Sequence, residues 1–131
     1  MRKNWLGLLV VTTTVAGLFL GGGPAVSATK TITPEEAGNY VGQEVTVCGT
    51  IHSALCTTEK GKASYLNLNA PYPKEPFMVA IPGEDCAKLN LDLLRKGTKV
   101  CVTGVVELTE TRKVPCIKLT DIKNLKIVRP Q

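Results

Sequence analysis

The sequence predicts an all-β domain with one helix, a five-stranded Greek-key barrel whose helix falls between strands three and four. Three observations predict it. Apolar and polar residues alternate with period two in five short stretches. A run with period near 3.6, Cys86, Leu89, Leu93 and Leu94, interrupts them after the third. The first and fourth stretches share a template, Gly42-x-x-Val45-x-Val47-x-Gly49-x-Ile51 and Gly97-x-x-Val100-x-Val102-x-Gly104-x-Val106, each with a glycine in mid-strand where a strand bends sharply.

The elements follow in chain order. Arg2 and Lys3 open a leader, Trp5–Leu20 is almost wholly apolar, Gly21–Pro24 breaks it, and Val26-Ser27-Ala28 offers small residues to a signal peptidase. Residues 1–28 are therefore expected to be removed as a signal peptide. The competing reading is an uncleaved membrane anchor, since a span needs about 20 apolar residues. Residues 29–131 form the domain, with its core at about 40–128. The mature chain keeps 103 residues with 14 basic and 11 acidic side chains, net +3. So small a charge, with no run of Lys or Arg, does not by itself demand nucleic acid.

Thr33-Pro34-Glu35-Glu36 reads as a capping box with proline at the first helical position, opening a short helix that Gly38 ends. Strand one, Glu44–His52, turns Val45, Val47, Gly49 and Ile51 to one face. A polar loop carrying Lys60 and Lys62 leads to strand two, Tyr65–Asn69, with Leu66 and Leu68 inward. After the proline-punctuated Ala70–Pro76, strand three, Phe77–Ile81, sets Phe77, Val79 and Ile81 inward and Met78 and Ala80 outward. The helix covers Glu84–Arg95 and Gly97 stops it. Lys99–Leu108 is strand four, Thr109–Lys113 a charged turn and Val114–Leu119 strand five. The tail Ile122–Val128 extends the last strand or covers an end. Three strands, a helix and two strands is the order of the OB-fold, whose rival, an SH3-like barrel, lacks a full helix at that place.

All five cysteines lie in the exported part, where disulfides form. No Cys-x-x-Cys occurs and His52 is the only histidine, so neither zinc-ligand nor thioredoxin-like spacing is present and no metal or other cofactor is expected. Cys48 and Cys101 point outward from strands one and four, antiparallel neighbours in such a barrel, and are expected to bond. Cys56 with Cys116 is the next expected pair, leaving Cys86 as a free thiol.

The stretches Tyr40–Ile51, Leu66–Pro73 and Lys99–Gly104 resemble small bacterial OB-fold domains of the anticodon-binding-like type, found in short exported proteins and beside nuclease domains. The resemblance covers roughly Ile32–Val128 and departs from that pattern at Lys74-Glu75, Pro82 and Cys86. It implies the fold and a nucleic-acid-binding label, and supplies no catalytic site.

No base, nucleophile and acid converge in the sequence, and Glu84-Asp85 suits a helix start regardless of function. A non-catalytic binding module is expected. OB-folds hold oligonucleotides or oligosaccharides across strands two and three, between the loops after strands one and four. The outward residues there are Tyr65, Asn67, Asn69, Met78 and Ala80, flanked by Lys60 and Lys62 on one loop and Arg112 and Lys113 on the other. Tyr65 for stacking, Asn67 and Met78 beneath the ligand and four cations for phosphates make a single-strand nucleic-acid site. The alternative is an envelope protein or oligosaccharide on the same face, in the periplasm or outside the cell.

Overall fold

The computed structural model describes Gly17, residues 29–90, Asp92 and residues 94–129. The leader expected at residues 1–28, Gly17 apart, and Leu93 of the 3.6-period run lie outside the described residues. Among the described residues no helix is long and apolar enough to cross a membrane.

Among the described residues eight strands are present where alternation predicts five: β1 (Thr31–Ile32), β2 (Glu44–Leu55), β3 (Ala63–Leu68), β4 (Phe77–Pro82), β5 (Lys99–Val105), β6 (Glu107–Leu108), β7 (Pro115–Lys118) and β8 (Leu125–Val128). They form one sheet in the order β6-β7-β4-β3-β2-β5-β8, with β1 parallel beside β2. The pair β4–β7 is also parallel; the remaining named pairs are antiparallel. Because only Val106 separates β5 from β6, the order returns on itself and the sheet curls into a barrel-like shape.

The extra strands have local causes. The expected fourth strand is divided because Val106, fully buried, bridges Val41, donates its N–H to the Gln43 carbonyl at 3.0 Å and accepts from the Gly42 N–H at 2.8 Å. The chain there leaves β2 and crosses to β7. Gly104 stands just before this crossing, where a Cβ would meet Ile117 Cγ2 at 2.6 Å. The tail pairs with β5 instead of extending the last strand: Leu125 and Ile127 stand opposite Val102 and Val100 and continue the inward set.

Both expected helices depart from their patterns. A 3-10 helix, Pro34–Tyr40, runs through Gly38, and the Thr33 hydroxyl donates to Glu36 Oε1 at 3.0 Å instead of capping a backbone N–H. Of the expected Glu84–Arg95 helix, the α-helical part among the described residues is α1 (Gly83–Cys86). After Cys86 the backbone pairs i to i−3, the Lys88 N–H with the Asp85 carbonyl at 3.0 Å and the Leu89 N–H with the Cys86 carbonyl at 3.1 Å, and Asn90 Oδ1 then accepts the Asp92 N–H at 3.1 Å in a local turn. Leu94 is nevertheless buried, and Leu89 packs against the core.

Phe77, Ile51, Leu66, Leu68, Ile81 and Ile117 are the largest fully buried side chains, joined by Val45, Val47, Val79, Val100 and Val102. The inward alternation holds at these positions, and burying each side chain of this size contributes about 1.5–3 kcal/mol. Leu108, however, which the alternation of strand four sets inward, is 43% exposed because the chain crosses from β5 to β6 before it. Strand three departs on its other face: Met78 and Ala80, expected outward, are 8% and 9% exposed. The reason is position, since β4 is flanked on both edges by β3 and β7 and its outer residues are covered by their neighbours.

Cys48 and Cys101 are opposed in the β2–β5 ladder and bonded, with Cα atoms 4.1 Å apart. Cys56 bonds to Cys86, not Cys116, at a Cα separation of 5.9 Å. The bond ties the loop after β2 to α1. Cys116, on β7, is the free, buried thiol.

Candidate functional site

Ladder register places the outer face of β3, β4 and β7 in two rows. Tyr65 stands opposite Ala80, and Ala80 opposite Lys118; Asn67 stands opposite Met78, and Met78 opposite Cys116. Along the first row lies a groove of about 430 Å³, lined by Tyr65, Ala80, Pro82, Leu108, Thr111 and Lys118 among others. Ala80 and Cys116 are buried and form its floor, while Tyr65, 36% exposed, stands at its rim.

Two loops bound this face. The β2–β3 loop is fixed at several points: Ser64 Oγ accepts the Thr57 N–H at 2.8 Å, and the Gly83 N–H donates to the Lys62 carbonyl at 2.9 Å. Gly83 must be glycine for that approach, because a Cβ would lie 2.5 Å from the Lys62 carbonyl oxygen. With the Cys56–Cys86 bond, these contacts hold the segment carrying Lys60 and Lys62 at one end of the face. Lys62 Nζ lies 2.5 Å from Glu59 Oε2, an exposed pair of small energetic weight. Lys60 is exposed with no ion-pair partner among the described residues.

The β6–β7 turn forms the far wall. The Thr109 N–H donates to the Val114 carbonyl at 2.9 Å, and the Val114 N–H to Thr109 Oγ1 at 2.9 Å. Arg112 leaves this turn toward the β3–β4 connection: Nη1 donates to the Pro73 carbonyl at 3.3 Å, Nη2 donates to Glu75 Oε1, and the guanidinium lies 4.4 Å from the centre of the Tyr72 ring. Glu75 is 4% exposed, and its other oxygen, Oε2, has no hydrogen-bond partner among the described residues. The hydrogen bond to Glu75 raises the Arg112 pKa above its ordinary value. Arg112 is therefore a clasp between two loops.

Of the residues expected to bind, the structure brings only Tyr65 to the groove. Met78 is buried, and Asn67 is half-buried with its Nδ2 donating to Ser53 Oγ at 2.9 Å. Asn69 faces the opposite end, accepting the Thr50 N–H at 2.9 Å and donating to Glu35 Oε1 at 2.8 Å. Lys60, Lys62 and Lys113 are exposed on the flanking loops. Leu108, Thr111 and Lys118 line the groove without having been singled out, because their place depends on how β6 and β7 pair, which alternation does not specify. The Cys116 thiol has a raised pKa, from burial first and Glu107 second, against a lowering by Lys118. Among the described residues no three His, Cys, Asp or Glu side chains come together as a metal site.

The arrangement can be set beside solved structures. An OBody bound to hen egg-white lysozyme is similar at 18% identity, the match covering 81% of this chain and 100% of that one with a TM-score of 0.55. The fold is OB-like. The aspartyl-tRNA synthetase of Entamoeba histolytica matches at 13% identity over 82% of this chain and 23% of its own, with a TM-score of 0.54. A candidate aspartyl-tRNA synthetase from Leishmania major Friedlin matches at 16% identity over 84% of this chain and 22% of its own, with a TM-score of 0.51. The chain thus spans about a fifth of the synthetase chains it matches. No family model and no curated protein matches the sequence.

Proposed function

We propose that the domain is a non-catalytic binding module that takes single-stranded nucleic acid across the face bearing Tyr65. The groove beside the half-exposed Tyr65 carries the proposal, because a concave face between two fixed loops with one accessible aromatic suits stacking of a base. Lys60, Lys113 and Lys118 stand around it for phosphates. Two fold neighbours are enzymes named for tRNA, which supports the same ligand class. Asn67, Met78 and Arg112 are left out of the contact set, the first two by burial and the third by its bond to Glu75. The two disulfides suit an oxidising compartment, the periplasm or the outside of the cell.

Titration of the oxidised protein with single-stranded DNA and RNA at two salt concentrations tests this reading. Affinity should fall with salt by a slope of about 0.7 per phosphate contact, and Tyr65→Ala should cost about 1–3 kcal/mol of binding. An absence of salt-sensitive binding at micromolar protein would overturn it.

A second reading, an envelope protein as ligand, has its own observation. Leu55, Tyr65 and Leu108 expose apolar surface on or beside the groove, and Lys62 and Lys118 each face a carboxylate. Such a surface suits a protein partner better than an oligosaccharide. Binding unaffected by salt and lost on Leu108→Glu would select it.

A further inference from the structure

The charge of the domain is concentrated in two places in the sequence. Stretches 92–101 and 121–129 hold six basic side chains against two acidic ones, net +4, while the rest of residues 29–131 holds eight basic against nine acidic. Folding joins the two stretches, because β8 lies antiparallel to β5 with Lys99 opposite Val128 and Cys101 opposite Lys126. Lys99 and Lys126 are then diagonal neighbours on one face, with Cα atoms about 7–8 Å apart in such a ladder. Their face points away from the core, since the alternate residues Val100 and Val102 are fully buried and Leu125 is 9% exposed. On the other side of β5, β2 contributes Thr50 opposite Lys99 and Thr46 opposite Thr103.

These cations are unspent. Lys99, Lys126 and Arg129 are exposed, and none has an ion-pair partner among the described residues. Of the acidic side chains nearby, Asp92 accepts from Arg95 at 3.1 Å, Asp121 accepts the Lys123 N–H at 2.9 Å, and Glu44 stands at the far end of the outward row of β2, opposite Val105. Lys99 and Arg129 also border a groove of about 500 Å³ with Asp92, Gly97, Thr98 and Val128. In the sheet, β2 separates this face from the one bearing Tyr65.

We infer that the outer face of β2, β5 and β8 is a second contact surface, for the phosphodiester backbone of nucleic acid. Lysine, arginine and threonine hydroxyls are the side chains that hold phosphate oxygens without reading sequence. The outward positions 46–50, 99–103 and 126–128 contain no aromatic residue, so this face offers nothing for a base to stack on. An anionic bilayer presents phosphates too, but a surface that lies in a bilayer adds an apolar side that enters it. On the outward rows where these strands pair, the exposed large apolar side chains are Val105 and Val128, set apart along β5 by the distance from Lys99, which stands opposite Val128, to Val105. The inference takes its ligand class from the nucleic-acid reading above and uses different residues.

The test titrates the oxidised full chain with a mixed-sequence single-stranded oligonucleotide at several salt concentrations. It compares the parent with the triple variant Lys99→Gln, Lys126→Gln, Arg129→Gln, and with Tyr65→Ala. The triple variant should weaken binding of all sequences about ten-fold or more and reduce the salt slope by about 2, three contacts at about 0.7 each. Tyr65→Ala should weaken binding and leave the slope in place. Lys126→Glu alone, at one exposed position, keeps the test valid if the triple variant folds poorly, and should lower affinity in the same direction. Parent-like affinity and slope in the folded variants would overturn the inference, and loss in Tyr65→Ala alone would leave the groove reading standing without it. Loss in the triple variant alone would support the inference and remove the groove. If phosphatidylglycerol vesicles bind the parent and not the triple variant while oligonucleotide binding is unchanged, the surface belongs to a membrane and the inference fails.

Discussion

On the face that carries the groove, Lys62 lies against Glu59, Arg112 against Glu75 and Lys118 against Glu107, leaving Lys60 and Lys113 on the flanking loops unpaired among the described residues, whereas on the β5–β8 face Lys99, Lys126 and Arg129 all meet no carboxylate among them. The groove face is shaped by loops held with a disulfide and a buried acid. The other is a regular ladder, locked by a disulfide between directly opposed residues. Loop-built shape and ladder-borne charge lie on different parts of one small sheet.

The largest effect that separates the two faces concerns their cross-links. Replacing Cys48 and Cys101 by serine should cost about 4 kcal/mol of stability for a sequence separation of 53. Removing Cys56–Cys86, with a separation of 30, should cost less and loosen only the β2–β3 loop and α1. Denaturant unfolding of both serine variants under oxidising conditions checks the order. Equal losses would show that the two faces share one constraint.

Next comes the clasp. Glu75→Gln keeps the shape but withdraws the charge that Arg112 meets, and should lower stability by about 1–3 kcal/mol. It should also speed hydrogen exchange in the Thr109–Val114 turn while β5 and β8 stay protected. Unchanged exchange in that turn would mean that Arg112 does not position the groove wall.

The smallest effect is the pH response of Cys116. Its folded pKa is raised, so below the ordinary value of 9.0 the proton is held in both states. As pH rises past that value the unfolded chain ionises first, and stability falls until the raised folded pKa is reached. Cys116→Ala should flatten this alkaline loss in a series of unfolding curves from neutral to alkaline pH. A slope identical to the parent would place the thiol in an environment no different from water.

How much of this was legible in the sequence depends on whether a residue's place is set by its neighbours in the chain or by distant ones. Val45, Val47, Leu66, Leu68, Val79 and Val100 are inward by alternation alone, and all are buried. The opposition of Cys48 and Cys101 follows from strand direction and register, and it too is present. Met78 was misplaced because its outward face is covered by strands far along the chain, β7 above all. The Cys56–Cys86 pairing is hidden for a similar reason: α1 folds back onto the β2–β3 loop, and the change to i to i−3 pairing after Cys86 is not something period counting registers. Arg112 looks like a free cation in the sequence because its partner, Glu75, lies 37 residues away. Glu75 was visible only as part of a departure from the family pattern.

The central claim, that ligand crosses the groove beside Tyr65, is tested most directly by following the backbone amides of the oxidised, isotopically labelled protein while single-stranded oligonucleotide is added. The account predicts the largest shifts at Tyr65, Ala80, Leu108 and Thr111, with a second, salt-sensitive set at Lys99 and Lys126. Shifts confined to β5 and β8, with Tyr65 and Ala80 unmoved, would contradict it.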